Sequence, residues 1–269
     1  MSKKKTIQEL KAASKLLIEE LQAAQELETI AALKGDRHLR PEEILEATKS
    51  FWESDKPFLE WISKKVQFIT ESLTLDFIKT ATIIDIGAGH GMVSDKFHQL
   101  GAGVTTIEPN LENATYIRDK YPHLSPIKKD IEVDHFEPRS HDLVLSLGLM
   151  YHLEDPLTHL RKCLNMSKKY TIIDTVVSNG VMPDIKVSNT SCHITDGMGL
   201  HEIIPSEQGI MSILSHQKEH TYQIIKDPAL NQGQIRRYDW EDVSTVYSDR
   251  DNSNESHIPY MFIIATRID

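Results

Sequence analysis

The chain is poor in thiols: Cys163 and Cys192 are its only two cysteines in 269 residues, and no C-x-x-C pair occurs. That argues against both a disulfide scaffold and a thiolate zinc site. No run approaches the ~20 consecutive apolar residues that a membrane helix needs. Met1-Ser2-Lys3-Lys4-Lys5 is not followed by an apolar core, so no secretory leader is expected and the cytoplasm is the expected location. Positive charge is in deficit. Thirty Lys and Arg against 40 Asp and Glu leave a net charge of −10, which offers a phosphate backbone no overall attraction. Nucleic acid is therefore disfavoured as a partner, although a local basic patch stays open. Internal repeats are absent, and no low-complexity linker precedes Thr80. What is present is an ordinary composition, 39% hydrophobic and 26% charged, long enough for one large α/β domain plus an accessory element.

Helical periodicity dominates the first part of the chain. Leu10, Ala13, Leu17, Ala24, Leu27 and Ala31 form an apolar seam between Ile7 and Leu33, and Gly35 stands where a helix would end. A second helix is predicted to open at Pro41, with Glu42 and Glu43 in its first turn. Phe51, Trp52, Phe58, Trp61, Ile62, Val66, Phe68 and Ile69 then make an aromatic-rich helical region up to Leu75. Beyond it, strand and helix signals alternate. Strands are expected at 81–86, 103–107, about 125–129, 142–147 and 170–177, and helices at 92–100, 110–120 and 156–165. A helix near 206–216 and closing strands at 220–226 and 258–267 complete the series. Such alternation implies an α/β fold with a parallel sheet between two helical layers. The expected division is a helical extension or cap at 1–78 and a catalytic domain at 79–269. Two polar insertions, 178–204 and 227–257, follow late strands and are expected on the substrate side.

The segment Ile83-Ile84-Asp85-Ile86-Gly87-Ala88-Gly89-His90-Gly91 carries the strongest signal. A β-branched run reaches an acid, and a turn with glycine at alternate positions follows. A second strand-like run, Val104-Thr105-Thr106-Ile107, ends in Glu108. This is the pattern of a nucleotide cradle: glycines let backbone approach the ligand, and a carboxylate after the next strand can accept from both ribose hydroxyls. A dinucleotide cradle would read G-x-G-x-x-G, but here the spacing is G-x-G-x-G and Met92 stands at the third glycine's place. Asp85 would repel a pyrophosphate, whereas it suits a ligand with an ammonium and a sulfonium. A nicotinamide dinucleotide and a ligand-free turn are the alternatives.

These residues resemble the first motif of the class I S-adenosylmethionine (SAM)-dependent methyltransferases, apolar-acid-apolar-G-x-G-x-G, and the resemblance extends over about residues 80–178. It implies a Rossmann-like, seven-stranded, mostly parallel sheet with helices on both faces, its last strand antiparallel between its two predecessors. It implies SAM as cofactor, held by Asp85, Gly87, Ala88, Gly89, Gly91, Glu108, Pro109, Asp130, Ile131, Leu147 and Gly148. In that family an acid at the place of Asp130 accepts from the adenine amine, and the apolar residue after it covers the ring. Glu108 could instead be a helix N-terminal acid, Asp130 a solvated turn acid.

The run Gly148-Leu149-Met150-Tyr151-His152-Leu153-Glu154-Asp155-Pro156 is similar to a G-x-L-Y-H-L-x-D-P segment. A subgroup that includes small-molecule methyltransferases and tRNA wobble-uridine carboxymethyltransferases carries it. The Pro-Pro-aromatic motif of nucleobase amino methyltransferases is missing at this place, and Cys163 falls inside the next helix, away from where a cytosine-attacking nucleophile belongs. The expected reaction is methyl transfer from SAM to a small molecule or sugar, preferably at oxygen. Catalytic candidates are His152, whose ordinary pKa near ~6.5 suits proton removal at neutral pH, Asp174 and Tyr151. For His152 the competing role is to cap the next helix or stack on the adenosine. A metal site from His193, Asp196 and His201 has no fixed motif behind it, so no metal is expected. A wobble-uridine-type RNA enzyme is the first rival and would need a basic patch, with Lys64, Lys65, Arg236 and Arg237 as members. A non-catalytic SAM-binding regulator is the second. The protein is expected to be a monomer or a homodimer, the latter through the Leu10-to-Ala31 seam.

Overall fold

The computed structural model describes residues 56–178, 182–189, 201–227, 230 and 260–268. The helices expected before Lys56 and most of the 227–257 insertion lie outside them. Helix α1 (Lys56–Leu73) and the short α2 (Leu75–Thr80) precede β1 (Thr82–Ile86). Then come α3 (Met92–Gln99), β2 (Gly103–Ile107), α4 (Leu111–Lys120), β3 (His141–Leu147), α5 (Pro156–Met166) and β4 (Ser167–Val176). The series closes with β5 (Ile185–Asn189), β6 (His201–Pro205), α6 (Glu207–Ser215), β7 (His220–Ile225) and β8 (Tyr260–Arg267).

Six strands form one sheet in the order β2-β1-β3-β4-β8-β7. The first four are parallel; β8 runs antiparallel between β4 and β7. Alternation of side chains feeds two cores. Ile83, Leu143, Leu145 and Ile172 face α1 and α3, while Ile84, Val144 and Ile173 face α5 and α6. Helix α1 is amphipathic: Ile62, Val66, Ile69 and Leu73 recur at spacings of four and three and are all buried on the sheet. Phe68 meets Phe262 of β8 edge to face, with ring centroids 5.5 Å apart. Among the described residues no helix is long and apolar enough to cross a membrane.

Two expected elements differ. The strand expected near 125–129 is reduced to a single bridge, in which Ile127 pairs with Ile107 beside β2. Pro126 has no N–H to give a ladder, so only Ile127 bonds, to the carbonyl of Thr106 and from the amide of Glu108. The sheet of the described residues therefore has six strands plus this bridge, rather than seven full strands. The 178–204 stretch, read as a loop, contains an antiparallel pair: β5 and β6 are joined from Ile185↔Pro205 to Asn189↔His201.

Candidate active site

Strand order reverses between β1 and β3, since β2 extends the sheet to one side of β1 and β3 to the other. A crevice opens at the carboxyl ends of such strands, and the first glycine turn stands there. Asp85, 3% exposed, is the penultimate residue of β1, two before the first glycine of the turn. Ser94, in the first turns of α3, donates to Asp85 Oδ2 at 2.6 Å, and Thr106 of β2 donates to Ser94 at 3.2 Å. Burial pushes the Asp85 carboxyl up to about 6; the Ser94 bonds oppose the shift and nearby Asp174 adds to it.

The turn is strapped to β2 by its own amides. Gly87 and Ala88 N–H both donate to the Ile107 carbonyl at 3.0 Å, and Gly89 N–H donates to Glu108 Oε2 at 2.7 Å. The second oxygen of Glu108 accepts from Asn110 N–H at 2.9 Å. Burial raises the Glu108 carboxyl above its ordinary value, against the pull of these two amides. The Asn113 side chain also bonds to it, so of about four acceptor positions on a carboxylate three are taken and one stays open to a hydroxyl. The side-chain cap of α4 is Asn110, which accepts from Glu112 and Asn113, while Glu108 bonds both to the amide of that cap and to the glycine turn. Pro109 joins the two and is half-buried.

Gly89 adopts φ 56°, and a Cβ placed on it would meet nothing within 4 Å. This is the open wall of the cradle, where a ligand can lie directly on backbone. The turn after β3 closes the other side: a Cβ on Gly87 would sit 2.8 Å from the Leu149 side chain. Leu147 ends β3 beside Asp174, and Gly148 N–H donates to the Asp174 carbonyl at 3.1 Å. Asp130 spends Oδ1 on the Glu132 amide, an Asx turn, while Oδ2 is left for another donor. Ile131 is buried in the core under this turn. The cradle as a whole fits SAM: an acid just before the turn, an open backbone wall, and Glu108 placed on the neighbouring strand for a ribose hydroxyl.

Tyr151 and His152 lie on a 3-10 turn, Met150–His152, with ring centroids 4.1 Å apart. Tyr151 is buried and His152 half-buried. The α5 cap is Asp155, which accepts from Thr158 N–H, so His152 is not spent as the cap of the next helix. Strand β6 packs against this 3-10 turn. Asp174, fully buried near the end of β4, pairs with Lys65 of α1.

Sequence reasoning missed Ser94, Tyr260 and the true place of Lys65. Ser94 had a faint signal, a hydroxyl just inside the helix that follows an acid-glycine turn. Lys65 was expected on a basic surface patch; it is 1% exposed, so that patch loses it. Lys64 is exposed, and Arg236 and Arg237 lie outside the described residues. His193 and Asp196 lie outside them too, and among the described residues no group of three or more His, Cys, Asp or Glu is placed to hold a metal. Ser146, His159 and Cys163 resemble a nucleophile set, with Ser146 Oγ 2.8 Å from His159 Nε2. All three are buried; burial drives His159 down to about 3 and pushes the Cys163 thiol up, so this is a neutral core cluster. A cavity lined by Leu73, Tyr170, Thr221 and Thr266 sits at the amino-terminal end of β4, away from the cradle.

Comparison with known proteins agrees with this geometry. Residues 84–173 match the family model of the methyltransferase domain. The chain is 27% identical over 116 residues to a ubiquinone biosynthesis O-methyltransferase of Rhodopseudomonas palustris (strain TIE-1), covering 42% of this chain and 46% of that protein. It is 25% identical over 134 residues to the Xanthomonas campestris pv. campestris (strain B100) protein of the same name, covering 44% and 52%. The chain thus spans about half the length of the curated relatives it matches. A fold likeness of TM-score 0.53 at 14% identity, over 87% of this chain and 92% of the other, relates it to Burkholderia thailandensis 1,6-didemethyltoxoflavin-N1-methyltransferase, solved with S-adenosylhomocysteine (SAH) bound. The plantazolicin methyltransferase, also solved with SAH, gives 0.54 at 15% identity over 93% and 99%. An acid-glycine turn at the strand-order reversal and an antiparallel β8 inside the sheet thus accompany a match to the methyltransferase domain over residues 84–173, and in both fold and motif the chain is similar to SAM-dependent methyltransferases.

Proposed function

We propose that the protein is a SAM-dependent methyltransferase acting on a hydroxyl of a small molecule or sugar. The observation that carries the reading is the Asp85–glycine turn–Glu108 cradle, open to a ligand at Gly89. When bound, SAM supplies an electrophilic methyl group on a cationic sulfur. Asp85 offers negative charge to the cationic end of such a ligand, Glu108 accepts from a ribose hydroxyl, and Asp130 Oδ2 accepts from an exocyclic amine. Gly148 presents backbone on the side of the crevice facing Tyr151 and Asp174.

Oxygen as the acceptor atom is supported by His152. A neutral hydroxyl gains from a base as its oxygen attacks, and the half-buried His152 imidazole beside Tyr151 would take that proton. The O-methyltransferase names of the curated relatives point the same way. Beyond proton removal, such chemistry needs alignment of donor and acceptor with exclusion of water. We assign the covering to the inserts and the extension: β6 borders the 3-10 turn, and Trp61 of α1 donates Nε1–H to the Leu230 carbonyl of the 227–257 insertion at 2.5 Å.

Calorimetric titration with SAH, run on the wild type and on Asp85→Ala, tests the cofactor. Binding by the wild type and a loss of at least about tenfold in the variant is expected, the scale of a charge-assisted hydrogen bond. Consumption of SAM with one of a panel of phenols, sugars or tRNA then names the acceptor class. A folded wild type that binds no SAH would overturn the reading, and binding without turnover on any acceptor would favour the regulator.

A further inference from the structure

Lys65 is the feature of the cofactor edge that the reaction above leaves unused. It lies on the otherwise apolar buried stripe of α1, next to Val66, and is 1% exposed. Burying an ammonium costs several kcal/mol after relaxation unless it is paired, so an apolar residue would serve packing better here. Its surroundings are specific. The ammonium lies 3.3 Å from the centre of the Trp61 ring, donates to the Tyr260 hydroxyl at 3.0 Å, and forms an ion pair with Asp174 Oδ2. The other carboxylate oxygen, Asp174 Oδ1, has no hydrogen-bond donor among the described residues. That oxygen faces the cradle: a Cβ on Gly148 would find Tyr151 Oη at 3.8 Å, and Asp174 Oδ1 and Tyr260 Oη both at 3.9 Å.

Besides Glu108, which is bonded to the amides of Gly89 and Asn110, two buried carboxylates share this edge, Asp85 from β1 and Asp174 from β4, and the charge of Asp174 adds to the cost of ionising Asp85. Among the described residues those facing Asp174 are Lys65 from α1, Tyr260 from β8 and Tyr151 from the 3-10 turn, and Lys65 is the cation of that group. We propose that Lys65 is a positioning residue that cancels the charge of Asp174, so that Asp174 does not add a further uncompensated carboxylate to Asp85 at the sulfonium of SAM. This rests on the cofactor reading above and goes beyond it, because it makes the helical extension a determinant of how strongly the site distinguishes SAM from SAH. The two ligands differ by one methyl group and one positive charge on sulfur. Removing Lys65 strengthens the hold on the cation alone; removing Asp174 weakens it.

The test is the ratio of SAH to SAM dissociation constants, by calorimetry near pH 8, for wild type, Lys65→Met, Asp174→Asn and the double variant. The ratio is expected to shift about tenfold toward SAM in Lys65→Met and about tenfold toward SAH in Asp174→Asn. In the double variant it should return to within about threefold of wild type. A merely structural role would move both affinities together and leave the ratio alone. Ratios within about twofold of wild type in both single variants overturn the proposal. Thermal melts report folding, and should Lys65→Met fail to fold, the sign of the Asp174→Asn shift decides. A wild type that binds neither ligand overturns the cofactor reading itself, which is a different result from an unmoved ratio.

Discussion

A methyl group added at Gly89 would point into open space, whereas one added at Gly91 would press on Ile117 at 3.0 Å. Both positions hold left-handed backbone, φ 56° and 75°, which costs an L-residue about 1–2 kcal/mol. Overpacking adds about 1–3 kcal/mol at Gly91 alone. Gly89→Ala is therefore expected to melt only a little below wild type yet to lose at least about tenfold in SAH affinity, because the new carbon occupies the ligand's wall. Gly91→Ala is expected to lose more stability than Gly89→Ala. Thermal melts with calorimetry check both, and a Gly89→Ala that binds SAH normally would move the ligand away from this turn. Asp85 adds a pH signature. Its carboxyl sits at about 6 in the folded chain against an ordinary 3.8. Between those values the folded state holds a proton that the unfolded chain has released. Stability therefore falls as pH rises through this window, by about 3 kcal/mol for this group. Glu108, also raised, contributes with the same sign. Urea unfolding of wild type and Asp85→Asn from pH 4 to 7 should show a shallower decline in the variant; equal slopes would mean that Asp85 is not the group that titrates.

Helix α1 is part of the domain's core, although by sequence position it belongs to the extension. Its buried Ile62, Val66, Ile69 and Leu73 each contribute about 1.5–3 kcal/mol of burial, in sum comparable to a domain's whole net stability. Deletion of residues 1–34 is expected to leave a folded protein with SAH affinity within a few-fold of wild type and impaired acceptor turnover. Deletion of 1–78 is expected to give no cooperative melt. Circular dichroism on both truncations checks this, and a 1–78 deletion that folds and binds SAH would show α1 to be dispensable. The same elements explain what the sequence made legible. Ile83-Ile84 and Leu143-Val144-Leu145 are buried on both faces, so near-continuous apolar runs mark their strands. The cradle was legible for the same reason, since its acids and glycines follow directly on those runs. β5 and β6 were not: they are five residues each, and Val187 is 62% exposed, so no burial pattern advertises them. Lys65 stands three after Ile62 and four before Ile69, on the buried face that Lys64 avoids, but what pairs its charge there includes Tyr260, 195 positions along the chain.

At the scale of the whole molecule, the candidate site residues collect at one end of the sheet. The carboxyl ends of β1, β3 and β4 carry Asp85, Gly148 and Asp174, and the amino end of antiparallel β8 brings Tyr260 to the same edge. The net charge of −10 surrounds this edge with a field that gives polyanionic acceptors no long-range attraction. The position of β8 also has a consequence for biosynthesis. It lies between β4 and β7 and bonds to both, so β7 joins the sheet only through it. During translation, residues 56–176 can emerge and pair among themselves in sequence order, but the sheet keeps an open edge at β4 until residues 260–267 leave the ribosome. Until then Lys65 lacks its Tyr260 partner and Asp174 lacks the strand that covers it. A nascent chain would thus pass through a stage in which the glycine turn exists and its electrostatic environment does not, and cofactor selectivity would be among the last properties the protein acquires.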